Sequence, residues 1–152
     1  MNLNITLKRK IYQETIDLLT SEMKELERQL KLLKESDEGE EKSSAGDKYE
    51  TQREMNQQSR NLLENRLQLA NKRIHYLSGL TIKEQKVIEN LALVKLSSGI
   101  FWITFGIGSI QNEEEKIHLI STDSPLFLAI SGKNEGDVIN FRGQNIKVIE
   151  IV

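Results

Sequence analysis

Two carboxylates three residues apart, Asp47 and Glu50, are the side chains of this chain best placed to do chemistry. They stand in an acidic stretch that also holds Asp37, Glu38, Glu40 and Glu41, against only Lys42 and Lys48. Serine, glycine and aspartate ahead of a periodic segment mark a helix start. On the first turn of that helix, residues three apart share a face, so both carboxylates can bind one hard cation. Magnesium takes one or two protein carboxylates and completes its shell with phosphates and waters. Such a pair on an exposed tip binds the ion weakly alone. It becomes useful when delivered to a partner that already holds a metal and phosphates, the two-metal arrangement for phosphodiester hydrolysis. The same residues admit a plainer reading as a solvated acidic loop, and at a helix start they also suit the macrodipole.

The elements that must position this pair are written in the apolar spacing. In the first arm Tyr12, Ile16, Leu19, Met23, Leu26, Leu30 and Leu33 follow one another in steps of four and three. That is a heptad seam. A second arm repeats it with Leu63, Leu67, Ala70, Ile74 and Leu77. One chain supplies both seams if the arms fold back antiparallel, Tyr12 opposite Leu77, Ile16 opposite Ile74, Leu19 opposite Ala70, Met23 opposite Leu67 and Leu26 opposite Leu63. This pairing centres the turn near residues 44 and 45, inside the polar, glycine-containing segment Ser36–Gly46. From Tyr12 to Ser36 the first arm is about 37 Å long at ~1.5 Å per residue. Asn56 and Arg60 fall where apolar residues are due opposite Leu33 and Leu30, so looser packing is expected near the turn.

Residues 86–152 read differently. Leu91–Leu96, Ile100–Phe105, Lys116–Ile120, Asp137–Phe141 and Asn145–Val152 are short runs of strand formers punctuated by Gly, Asn and Glu. Between them, Ser124 before Pro125 reads as N-cap and first helical residue, and Gly132 suits the position after a helix. The expectation is α+β: an N-terminal coiled-coil hairpin over 1–78 with its tip near 37–50, a hinge at 79–85, and a small antiparallel sheet domain with one short helix over 86–152. The strand-rich half carries its own apolar set and helix caps and is expected to fold by itself.

Composition narrows the function classes. The chain has 152 residues, 29% charged and 38% hydrophobic, a net charge of −2 and no cysteine. Cysteine nucleophiles, thiolate metal sites and disulfide frameworks are excluded. No apolar run approaches the ~20 residues of a membrane helix, and Met1 to Lys10 lacks a signal-peptide core. A soluble cytoplasmic protein with no membrane partner is expected. The net charge argues against simple wrapping of nucleic acid but leaves room for a local basic face. Lys8, Arg9 and Lys10 with Lys72 and Arg73 gather at the hairpin base by the pairing rule. They read as solvated charges or as such a face, for RNA or for an acidic protein surface. Phe101 and Trp102 read as core, His75 as a helix residue flanking the seam, and His118 as a strand residue.

The segment from Ser121 to Phe141 resembles the C-terminal signature of the Gre-type transcript-cleavage factors of bacterial RNA polymerase. Ser124, Pro125, Ala129, Gly132, Lys133, Gly136 and Asp137 match it in order and spacing. The family's tip pattern Gly-Asp-x-x-Glu is met by Gly46, Asp47 and Glu50, and the order of parts is the same. The resemblance spans essentially the whole chain. It implies an FKBP-like second domain, without prolyl-isomerase activity, that docks on RNA polymerase through Ser124, Pro125, Gly132, Lys133, Gly136 and Asp137. It implies a hairpin that enters the secondary channel and places Asp47 and Glu50, the catalytic and metal-holding residues, beside the polymerase magnesium. There they help hold a second Mg2+, shared with the polymerase and not stably bound by the free protein. The polymerase then cuts backtracked RNA, so this chain touches the nascent RNA 3′ end only indirectly. It would be a monomer and not itself an enzyme.

The sequence departs from the family after the tip, where Thr51-Gln52-Arg53-Glu54 stands in place of Asn-Ala-Glu-Tyr, and the turn before Gly46 is long and acidic. These departures keep a second reading open, a Gre-like binder that occupies the channel without promoting cleavage. A third, a stand-alone FKBP-like enzyme or coiled-coil adaptor, lacks any catalytic pocket signature.

Overall fold

The computed structural model describes residues 2–40 and 46–152. Contacts divide the chain into two units: residues 16–80, and residues 1–15 together with 81–152. Two long helices carry the first half, α1 (Ile5–Glu40) and α2 (Gly46–Ser78).

In the unit of residues 16–80 the apolar spacing does what it predicts. Leu19 and Leu26 of α1 are buried, and Leu63, Ala70 and Leu77 of α2 are buried at every seventh position. Met23, Leu30, Leu33, Leu67 and Ile74 are half-buried beside them. The seam continues one heptad further than its apolar residues, to Asn56, which is only 5% exposed. Its Oδ1 accepts a hydrogen bond from Gln52 Nε2 at 3.0 Å. A buried amide at a seam position lowers stability and fixes register. Helix α1 also runs into the expected turn segment, to Glu40, through Ser36, Asp37 and Gly39, which are weak helix formers.

The other unit is built on a six-stranded sheet, in the spatial order β3-β4-β2-β1-β6-β5. The strands are β1 (Leu93–Leu96), β2 (Gly99–Thr104), β3 (Gly108–Asn112), β4 (Glu115–Ser121), β5 (Val138–Phe141) and β6 (Gln144–Ile151), with the short helix α3 (Pro125–Ile130) between β4 and β5. Neighbours pair antiparallel except β2 and β4, which run parallel with Ile100 opposite Ile117 and Trp102 opposite Leu119. The sheet is thus mostly antiparallel, as expected, and departs from that expectation at this one pair. Strand β3 creates it: a polar run not read as a strand, it forms the edge and lets β4 return beside β2 in the same direction as β2.

Period-two alternation sends side chains to both faces. One face holds Val94, Leu96, Ile103, Ile146 and Val148, packed with Ile88, Phe127 and Ile130 of the α3 side. The opposite face holds Leu93, Ile100, Trp102, Ile117 and Leu119, all buried. Trp102 is fully buried, its indole N–H donating to Leu91 O at 3.1 Å. The ring of Tyr12, from the first turns of α1, meets it edge-on at 6.4 Å and 88°. Leu3, Lys8, Ile11 and Thr15 are buried in the same stretch. The sheet unit therefore includes residues that helical periodicity alone assigns to the hairpin.

Lys8 is neither a solvated charge nor part of a basic face, a correction to both readings of the hairpin base, since it is 1% exposed. Its ammonium donates to Lys83 O at 2.8 Å and Gln85 Oε1 at 2.7 Å, tying α1 to the segment before β1. Burial lowers its pKa to about 8, against the raising influence of Glu84 and Glu89. A base whose folded pKa lies below its unfolded value of 10.5 penalises the fold fully below pH 8, where it is charged in both states. The penalty is relieved as pH rises from 8 toward 10.5, because only the unfolded chain still binds the proton. Urea unfolding of wild type and Lys8→Met across this range is expected to show the difference in stability shifting toward wild type as pH rises. A pH-independent difference would place the proton elsewhere.

Candidate functional site

The sequence points to two places, one in each unit. At the tip, residues 41–45, Glu41 and Lys42 among them, lie outside the described residues, as do the side chains of Asp37, Glu38, Glu40 and Asp47. Helix α2 opens at Gly46, which puts Asp47 and Glu50 in its first turn, and the Glu50 side chain is exposed to solvent. Residues three apart on one turn share a face. Two carboxylates match the one or two that magnesium takes from protein, so the donor set fits the implied ion with most of its shell left for a partner. Among the described residues no group of three or more His, Asp or Glu side chains could hold a metal by itself.

In the sheet unit the segment around α3 is held largely by its backbone. Ser124 is the N-cap, with extended φ −67° and ψ 144°, and its hydroxyl accepts from Phe127 N. The same hydroxyl donates to Ser121 O at 2.8 Å. Pro125 occupies the first helical turn, where its missing N–H leaves no gap in the ladder. Past the C-cap at Ser131, Gly132 adopts φ +77°, and its N–H reaches Ile88 O at 2.8 Å. The Lys133 carbonyl accepts from Ile88 N at 3.0 Å. Gly136 adopts φ +90°, and an L side chain is strained there. Asp137 closes the turn: its Oδ2 accepts from Asn134 N at 2.8 Å, and its backbone N–H donates to Asn134 O at 3.1 Å.

Most of the signature is thus explained as architecture. Gly132, Gly136 and Asp137 shape a turn, and Ser124 caps a helix. The exposed side chains include Pro125, Lys133 and two that sequence reasoning did not single out, Leu128 at 68% and Val138 at 62% exposure. A signal for Leu128 was present. All six residues of α3 are apolar, and only Phe127 and Ile130 are buried, so a helix this short carries more apolar side chains than one face can cover.

The remaining candidates stay structural. Phe101 and His118 stack at 5.4 Å and 29° on adjacent strands, and His75 is exposed on α2. Replacing Ser124 with Ala removes the cap and is expected to cost about 1 kcal/mol, read as a lower urea midpoint with unchanged slope. Ser124→Thr keeps both the accepting oxygen and the hydroxyl proton and should recover most of it.

No protein-family model matches the chain, and no curated protein matches it. Among solved structures it is similar to the transcription factor Gfh1, at 19% identity over 92% of this chain and 92% of that one, with a TM-score of 0.34. It is likewise similar to GreA factor homolog 1 (Gfh1) of Thermus thermophilus, at 18% identity over 94% of this chain and 93% of that one, with a TM-score of 0.33.

Proposed function

We propose that this chain is a Gre-type elongation factor that enters the secondary channel of RNA polymerase and stimulates cleavage of backtracked RNA. The observation that carries the reading is the place of the Gly46–Glu50 motif: it opens the second helix of a hairpin whose α2 alone, 33 residues, is about 50 Å long at ~1.5 Å per residue. A rod of that length can carry a pair of carboxylates deep into another protein. The matching segment around α3 supports the same reading, since it leaves Pro125, Leu128, Lys133 and Val138 outward on a turn braced by backbone hydrogen bonds.

In this mechanism the sheet unit docks on the polymerase and the hairpin reaches the active site. Asp47 and Glu50 would hold the second Mg2+ together with polymerase groups. That ion, when bound, supplies Lewis acidity and an activated water. The chain's own contribution is to bring two negative charges to a fixed place, with the α2 start as their support. Bulk chemistry stays with the polymerase, so no enzyme activity is assigned to the free chain.

Asp47→Asn and Glu50→Gln keep shape and lose charge. Each is expected to lower stimulated cleavage in a stalled, backtracked complex by about tenfold or more, equivalent to ~1.4 kcal/mol of transition-state stabilisation, with polymerase binding nearly unchanged. Wild-type binding without any stimulation would instead support the channel binder that regulates polymerase without cleavage, a reading favoured by Thr51–Glu54 after the tip.

Docking is tested separately. An exposed apolar side chain at the centre of an interface contributes far more than its polar rim. Leu128→Glu, fully tolerable at a 68% exposed position, is expected to weaken polymerase binding about tenfold and to lower cleavage only through occupancy. Unchanged affinity would move the docking contact off α3.

A further inference from the structure

The buried seam of the hairpin stops short of its tip. On α1, Leu33 is half-buried, and the next side chains toward the turn, Lys34, Glu35 and Ser36, are exposed. On α2 every described side chain from Lys48 to Met55 is exposed, and Asn56 is the first buried one, at 5% exposure. Glu50 therefore stands about 9 Å, at ~1.5 Å per residue, beyond the nearest buried anchor of its own helix. That anchor is polar. Leu33 lines a common groove with Ser59 and Leu63, which sets it within one turn of Asn56.

A residue where a seam merely frays is exposed like its neighbours, and Asn56 is not. A buried amide is held by hydrogen bonds of fixed direction, whereas a leucine at the same position packs in several orientations. Asn56 Oδ1 accepts from Gln52 Nε2 at 3.0 Å, one turn nearer the tip. Gln52 is itself exposed and stands close behind Glu50 on the helix. The bond thus joins the exposed first turns of α2 to the last fixed point of the rod.

We infer that Asn56 and Gln52 form a polar splint that positions the tip carboxylates. Asn56 sets how α2 sits against α1 near the tip, and Gln52 carries that setting one turn on toward Asp47 and Glu50. Both are positioning residues that act through the helix and not on the ion. The purpose of the splint rests on the reading of Asp47 and Glu50 as metal-holding residues; the splint itself is a property of the free hairpin. It gives a role to Gln52, which lies in the segment where this sequence departs from the family's tip. Oxygens ligate magnesium at about 2.1 Å, with little tolerance. Misplacement of a reacting group by about 1 Å costs on the order of a hundredfold in rate. A polar seam position lowers the stability of the rod and holds its end in one place.

The chain has no cysteine, so spin labels attach only where cysteines are introduced. Lys24→Cys on α1 and Lys48→Cys on α2 replace exposed residues, about 25 Å apart along the rod at ~1.5 Å per residue. Double electron–electron resonance of the free chain is expected to give one narrow distance. Asn56→Leu should raise the thermal midpoint by about 2–4 °C and yet broaden that distance. Gln52→Met keeps length and helix propensity but loses the donor. It should broaden the distance less, with the midpoint nearly unchanged. In unlabelled chains that saturate the polymerase, Asn56→Leu is expected to lower stimulated cleavage about tenfold or more, with binding unchanged. A role in stability alone predicts the opposite, since this variant is the more stable. A distance as narrow in Asn56→Leu as in wild type overturns the inference. So does a Gln52→Met chain indistinguishable from wild type in distance, or a broadened distance with full cleavage. If wild type itself stimulates no cleavage, the metal-holding reading fails, and the distances alone decide the splint.

Discussion

A sheet with apolar side chains on both faces must be covered twice, and this constraint organises the sheet unit. Helix α3 and Ile88 close the face of Val94, Ile103 and Val148. The other face presents Trp102, the largest fully buried side chain of the described residues. Exposing an indole and its neighbours costs several kcal/mol. The cover comes from the start of α1, where Tyr12 meets Trp102 and Lys8 is fastened to Lys83 and Gln85. The helix that begins the hairpin is therefore also a core element of the sheet unit, and residues 81–152 without it would leave the Trp102 face open.

That dual use explains why the buried residues of α1 change pattern along its length. Lys8, Ile11 and Thr15 follow helical spacing toward the sheet, and Leu19 and Leu26 follow the heptad toward α2. A charged amine lies within the first set because its hydrogen-bonding partners are carbonyl and amide oxygens of the segment before β1. The arrangement satisfies the ammonium at the cost of a lowered pKa.

The two candidate functional regions differ in how they are built. Around α3, backbone hydrogen bonds and two left-handed glycines hold a turn whose outward side chains include the apolar Leu128 and Val138 beside Lys133. At the tip, the placement of two carboxylates depends on one helix start and on the length of the rod behind it.

How much of this was legible in the sequence depends on the range of the interaction. The seam through Leu19, Leu26, Leu63 and Ala70, the Ser124 cap and the positive φ of Gly132 are set by residues a few positions apart, and local spacing reveals them. The order and spacing of Ser124 to Asp137 were equally plain, and so was the tip pattern from Gly46 to Glu50. Tertiary structure decided the rest. The parallel pairing of β2 with β4 depends on β3, whose Gly108, Ser109 and Gln111 give a weak strand pattern and are recruited by the β4 edge. The burial of Lys8 depends on oxygens some 75 residues away, and the cover of Trp102 on a ring from α1. The exposure of Leu128, Leu62 and Leu69 depends on which faces the neighbours leave open. Periodicity states that a residue has an apolar face to bury; only the packed chain decides which face is reached, because burial is a property of the surfaces that meet.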